Sequence, residues 1–228
     1  MLNSFTVYFI FKLLAFAMAF FGGIALLRES VHVFVSNIKG KREKNTTIAM
    51  CVVLNILFTF SFVFILKNLI PLSSPGYGKL YEMESFWEAL VMTGVIGPIS
   101  EEIIFRAIIF RGLRGRYKQG TALIISALIF AIFHGSPAQI MNSFLGGILY
   151  GLVYMKTGSL VTPIFMHCIN NIVFTFLDYI SIFFPHYGPV IINFTYEIPV
   201  WIHIVISSLS IVLLLIVINN IGKTEAVS

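Results

Sequence analysis

The sequence predicts an all-α fold, a polytopic transmembrane helical bundle of seven to eight helices, on three observations. Charged residues make up 11% of the chain and hydrophobic ones 58%, whereas soluble domains carry about 25% charged residues. Mean hydropathy is +0.93. Apolar runs recur along the 228 residues, several near the roughly 20 residues that a helix needs to cross the hydrocarbon core. A single integral-membrane domain, 1–228, is expected. The net charge of +5 does not indicate nucleic acid, because the basic residues fall between spans and the expected partner is the lipid bilayer.

Residues 5–27 form the first apolar run, interrupted by Lys12. They lack the basic start, short core and cleavage site of a secretory signal, so an uncleaved span is expected. Arg28, Lys39, Lys41, Arg42 and Lys44 then mark a basic loop, cytoplasmic by the positive-inside rule. Residues 47–70 make a second span that ends at Pro71. Leu72 to Glu88, with its Ser-Ser-Pro-Gly turn and Glu82, Glu84 and Glu88, reads as an external loop.

A third run, 86–110, is interrupted by Gly97-Pro98. Proline inside a helix removes a ladder hydrogen bond, so two half-helices are expected, the second with Ser100 as N-cap. Arg111, Arg114, Arg116 and Lys118 form a second basic loop. Runs 121–134, 138–156, 160–183 and about 200–221 complete the chain. Ser143, Gly147 and Gly151 recur every four residues, a small face for close helix contact. Trp87 and Trp201 fall at span edges, as interface anchors do. Seven crossings with the N-terminus outside and the C-terminus cytoplasmic leave eleven Lys and Arg inside, against Lys67 and Lys79 outside.

Strong polar groups gather in three places: Glu101, Glu102 and Arg106; His134; and His167 with Asn171. A charge at mid-bilayer costs at least about 2.5–3.5 kcal/mol, so such residues pair, face the interior or do chemistry. Glu102 and Arg106 are four apart and can pair on one helical face. Glu101 lies about 100° round the helix and remains for another partner. His167 and Asn171 also share a face. Together these groups supply a general base, a second base or ligand, and amide donors for an oxyanion. They could equally be interhelical fastenings in a non-catalytic scaffold. A proton-coupled transporter is a third reading, disfavoured by the lack of inverted repeats.

Other membrane-protease chemistries fit poorly. The chain has no His-Glu-x-x-His, no Gly-x-Gly-Asp and no Gly-x-Ser-x-Gly turn. Cys51 and Cys168 fall inside apolar runs, and Cys168 adjoins His167 at an angle unsuited to a Cys–His pair.

The ordered set Glu-Glu-x-x-x-Arg (Glu101, Glu102, Arg106), Phe-x-x-x-His (Phe130, His134) and His-x-x-x-Asn (His167, Asn171) resembles the CAAX protease and bacteriocin-processing family. The resemblance covers about residues 86–180. It implies an intramembrane endopeptidase, a multi-pass protein of a bacterial plasma membrane, acting on a membrane-associated peptide or protein. It implies Glu101 as the base that activates water and His134 as its partner at that water. His167 and Asn171 are implied to hold the substrate carbonyl and oxyanion, and Glu102 and Arg106 to orient the first motif helix. No cofactor is expected. If a metal took part, zinc on Glu101, His134 and His167 would be the set.

Overall fold

The structure is a computed structural model that describes residues 4–28, 30, 32, 34, 43–69, 86–183 and 197–221. Several expectations fall outside those residues: Lys39, Lys41 and Arg42, the loop from Pro71 through Glu84, Pro185, Pro189 and Lys223. The side chains of Lys12 and Lys67 also lie outside them. Among the described residues every regular element is helical. We number them α1 (Ser4–Leu27), α2 (Asn45–Leu69), α3 (86–114), α4 (Gln119–Ile132), α5 (Pro137–Thr157), α6 (Val161–Phe183) and α7 (Val200–Asn220). The α2, α6 and α7 helices are long and apolar enough to cross a membrane. With 14 residues, α4 rises about 21 Å, short of the roughly 30 Å hydrocarbon core.

Two expectations about α3 are corrected. Gly97-Pro98 does not split the run, and Ser100 does not cap a second half. Instead α3 continues through five pieces: Phe86–Ala89, a π-helical Leu90–Ile96, α-helical Gly97–Glu102, a second π-helical Ile103–Phe110, and Arg111–Arg114. The wider register explains the continuity. Gly97 N–H donates to Met92 O, five residues back, and Pro98 falls in the first turn of the next α-segment, where its missing donor is tolerated. Ser100 Oγ donates back to Ile96 O (2.6 Å) and Gly97 O (2.8 Å).

π-Helix is rare because it strains the backbone ladder, and here each such segment is tied to a neighbour. Asn171 Nδ2 on α6 donates to Thr93 O (3.0 Å). Ser126 Oγ on α4 donates to Phe105 O (2.7 Å). Close approach also matters, since a Cβ on Gly94 would lie 2.8 Å from the Ile172 side chain.

Packing divides into two apolar clusters. The first joins the end of α1, the second half of α3 and the start of α4 around Phe110, Ala122 and Leu123. The second joins α2, α5, α6 and α7 around Phe58, Leu149 and Met166. Helix α5 feeds both, with Tyr154 in one and Tyr150 in the other. It starts at a capping box, where Ser136 Oγ accepts from Gln139 N and Gln139 Oε1 accepts from Ser136 N.

Arg111, at the end of α3, lies over the Phe34 ring (5.6 Å). Lys156 and Asn219 bring the ends of α5 and α7 together (3.4 Å). Trp87 and Trp201 are exposed at helix starts, as expected of interface anchors.

The small face of α5 packs on α4 as anticipated. A Cβ on Gly147 would lie 3.1 Å from Ala127 Cβ and 3.2 Å from Ala127 Cα, and backbone cannot move aside cheaply. Gly147→Val should therefore destabilise the fold by about 1–3 kcal/mol, read as a lower thermal midpoint in detergent. Gly22→Val, at a site where a Cβ meets nothing, is the control and should change little.

Candidate active site

The α-helical turn Gly97–Glu102 lies between the two π-segments, and its end carries both carboxylates. Glu102 is fully buried and Arg106 is 1% exposed. Arg106 Nη2 donates to Glu102 Oε1 at 3.1 Å, and Nε lies 3.0 Å from Oε2. The second contact has ion-pair distance but not hydrogen-bond angles. Removing two ions from water costs several kcal/mol each, recovered only by close geometry and further contacts. Those contacts are present. The guanidinium lies 4.9 Å over the Phe130 ring and 6.0 Å from Tyr150, while Glu102 gains a third partner.

That partner is His167, whose Nδ1 is 3.0 Å from Glu102 Oε1. As the counter-ion of Arg106, Glu102 can only accept, so the network assigns a hydrogen to Nδ1. The other ring nitrogen, Nε2, then faces Glu101 Oε2 at 3.7 Å. This is beyond direct hydrogen-bond range. Glu101 differs from its neighbour in being 31% exposed. One carboxylate is thus locked inside the bundle, and the adjacent one is partly exposed and faces the same imidazole.

The rings around His167 are ordered. Tyr150 stacks on it (4.9 Å, 26° between planes) and Phe130 meets it edge-on (5.9 Å, 87°). Phe130 also touches His134 (4.8 Å), and its carbonyl oxygen lies 3.0 Å from His134 Nδ1. His134 therefore reaches the cluster through Phe130. Asn171 is directed at the π-helical carbonyl of Thr93. A carboxamide has two N–H groups, so this bond uses one of them.

The structure brings Glu101, Glu102, Arg106 and His167 into direct contact, with Asn171 one turn further along α6. Among the described residues no three of His, Cys, Asp and Glu are grouped so as to hold a metal ion. The set Glu101, His134 and His167 is not gathered for zinc, and no step below runs through a metal.

Sequence reasoning missed Tyr150 and Asn55. Asn55 Nδ2 donates to Tyr150 Oη (3.4 Å) and to Asn170 Oδ1 (3.2 Å). The available signal was a carboxamide near the middle of the apolar run of α2. Cys168 is half-buried and Cys51 buried, both as free thiols.

This is an all-helical membrane protein with a carboxylate–imidazole centre enclosed by its helices. Residues 83–173 match the family described as Type II CAAX prenyl endopeptidase Rce1-like. The match supports the resemblance of that segment to the CAAX protease and bacteriocin-processing family. The chain is similar to YdiL of Bacillus subtilis (strain 168), named as a candidate membrane peptidase. Identity is 34% over 82 residues, covering 36% of this chain and 34% of that protein. It is also similar to the membrane-embedded CAAX protease MroQ of Staphylococcus aureus (strain USA300). There identity is 33% over 88 residues, covering 36% of each. The match spans about a third of the length of both relatives. No solved structure matches the chain.

Arg106→Met should cost about 3–5 kcal/mol by leaving Glu102 buried and uncompensated. The double variant Glu102→Gln/Arg106→Met should recover part of that loss. Thermal unfolding of the wild type, the two single variants and the double variant in one detergent measures this, and strictly additive losses would contradict the pairing.

Proposed function

We propose that the chain is a single integral domain, 1–228, acting as an intramembrane endopeptidase with a glutamate-activated water. The observation that carries this reading is Glu101 at 3.7 Å from His167 Nε2, partly exposed, beside a fully buried Glu102–Arg106 pair. Glu101 takes a proton from water, and the hydroxide oxygen bonds to the peptide carbonyl carbon. With His167 protonated, two carboxylates face one guanidinium and one imidazolium, so the cluster is neutral overall. Nε2–H and the second Asn171 N–H then donate to the tetrahedral oxyanion. The carbonyl re-forms as the C–N bond breaks, and Glu101 returns its proton to the leaving nitrogen. His134 stands as the second imidazole at the water, as the family resemblance implies. Glu102 and Arg106 touch no reacting atom and act as positioning residues.

The substrate is a membrane-associated peptide or protein, because a site set among bilayer-spanning helices is reached by chains already at the bilayer. The named activities of the two bacterial relatives support a bacterial plasma membrane location. The Lys and Arg bias of the sequence favours a cytoplasmic C-terminus and an outer N-terminus.

A non-catalytic scaffold or immunity partner is the second reading. It is favoured by the contacts the cluster makes within the protein, with both His167 nitrogens near carboxylates and Asn171 on Thr93 O.

Glu101→Gln separates the two. Cleavage should fall by about 10²–10⁴-fold with expression and thermal midpoint unchanged. Comparative peptidomics of cells carrying each version should find a peptide that accumulates uncut in the variant. Identical peptide profiles and an identical phenotype would end the catalytic reading.

A further inference from the structure

Asn55 lies near the middle of α2, outside the segment that matches the family, among the apolar and hydroxyl residues from Thr46 to Leu66. It has no solvent exposure. Its Oδ1 has no hydrogen-bond partner, a destabilising condition for a buried acceptor. A leucine, branched at the same atom, would avoid that cost, so what the Nδ2 group does must be weighed against it.

That amide joins two helices at the candidate site. One bond goes to Tyr150 Oη on α5, the other to Asn170 Oδ1 on α6. Asn170 is three residues from His167, on its own helix. Tyr150, 4% exposed, lies face to face with the His167 imidazole. The imidazole is thereby confined on one face by Tyr150 and at its edge by Phe130. Sliding Tyr150 along α5 would release the ring to turn about its Cβ–Cγ bond. Its two nitrogens would then leave Glu102 and Glu101.

We propose that Asn55 is a positioning residue that, through Tyr150, fixes the plane of the His167 ring and keeps Nε2 on Glu101. The orientation stands on contacts alone, while its effect on cleavage rests on the peptidase reading above. Tyr150→Phe keeps the stacked ring and removes the hydroxyl, and Asn55→Leu removes the amide.

The experiment uses full-length protein in nanodiscs, labelled with ¹⁵N-histidine, with the His167 signals assigned by their loss in His167→Gln. Wild type should give distinct Nδ1 and Nε2 signals, both nitrogens protonated and each shifted by its own carboxylate. Both variants should move the two signals toward the values of an imidazolium without carboxylate partners, and the double variant should add nothing further. With a substrate found by peptidomics, kcat should fall about 10-fold in each variant, again without addition, while KM stays. Unchanged His167 signals in folded Tyr150→Phe would overturn the proposal, leaving Asn55 as a helix fastening. Signals that move in a protein whose wild type cuts nothing would uphold the positioning role and count against the peptidase reading.

Discussion

The Glu102–Arg106 pair sets the terms for everything near it. Two opposite charges sit where neither touches water, and in that setting each must be satisfied from within the bundle. The guanidinium takes its remaining contacts from the faces of Phe130 and Tyr150. The carboxylate takes His167 Nδ1. Four helices thereby meet at one ion pair: α3 through its backbone, α4 through Phe130, α5 through Tyr150 and α6 through His167. Orientation of the imidazole follows from the need to neutralise a buried acid, and exposure of Glu101 follows from its position one residue earlier on the same turn.

The apolar clusters on either side give that pair its cost and its rigidity. α5 belongs to both clusters, so the aromatic surface it offers to Arg106 and His167 is anchored twice. Polar groups in this bundle bond mostly to backbone carbonyls: Asn171 to Thr93, Ser126 to Phe105, Ser100 to Ile96 and Gly97. Without water, a carbonyl released from the helical ladder needs such a donor.

Much of this was legible in the sequence, and the reason differs by residue. Glu102 and Arg106 could be paired because four-residue spacing alone places them on one face. The packing of Gly147 and Gly151 on α4 followed from the same periodicity. Pro98 was misread as a break, since nothing in the composition of Leu90–Ile96 announces a wider helical register. His167 could be located on a helix, but which carboxylate each nitrogen meets depends on the rotation of α6 against α3. Tyr150 and Asn55 escaped notice because one aromatic and one carboxamide in apolar runs each have many partners, and only tertiary packing selects among them.

The two π-segments have a mechanical corollary. Each accommodates residues at a different angular increment from the α-helix on either side, so the turn Gly97–Glu102 is held between two vernier joints. The outer lengths of α3 can be re-phased against α1 or α6 by tightening or widening those joints. The carboxylates themselves need not rotate. A single residue gained or lost in Leu90–Ile96 would thus be absorbed as helical pitch, where in an ordinary α-helix it would swing the acids by about 100°.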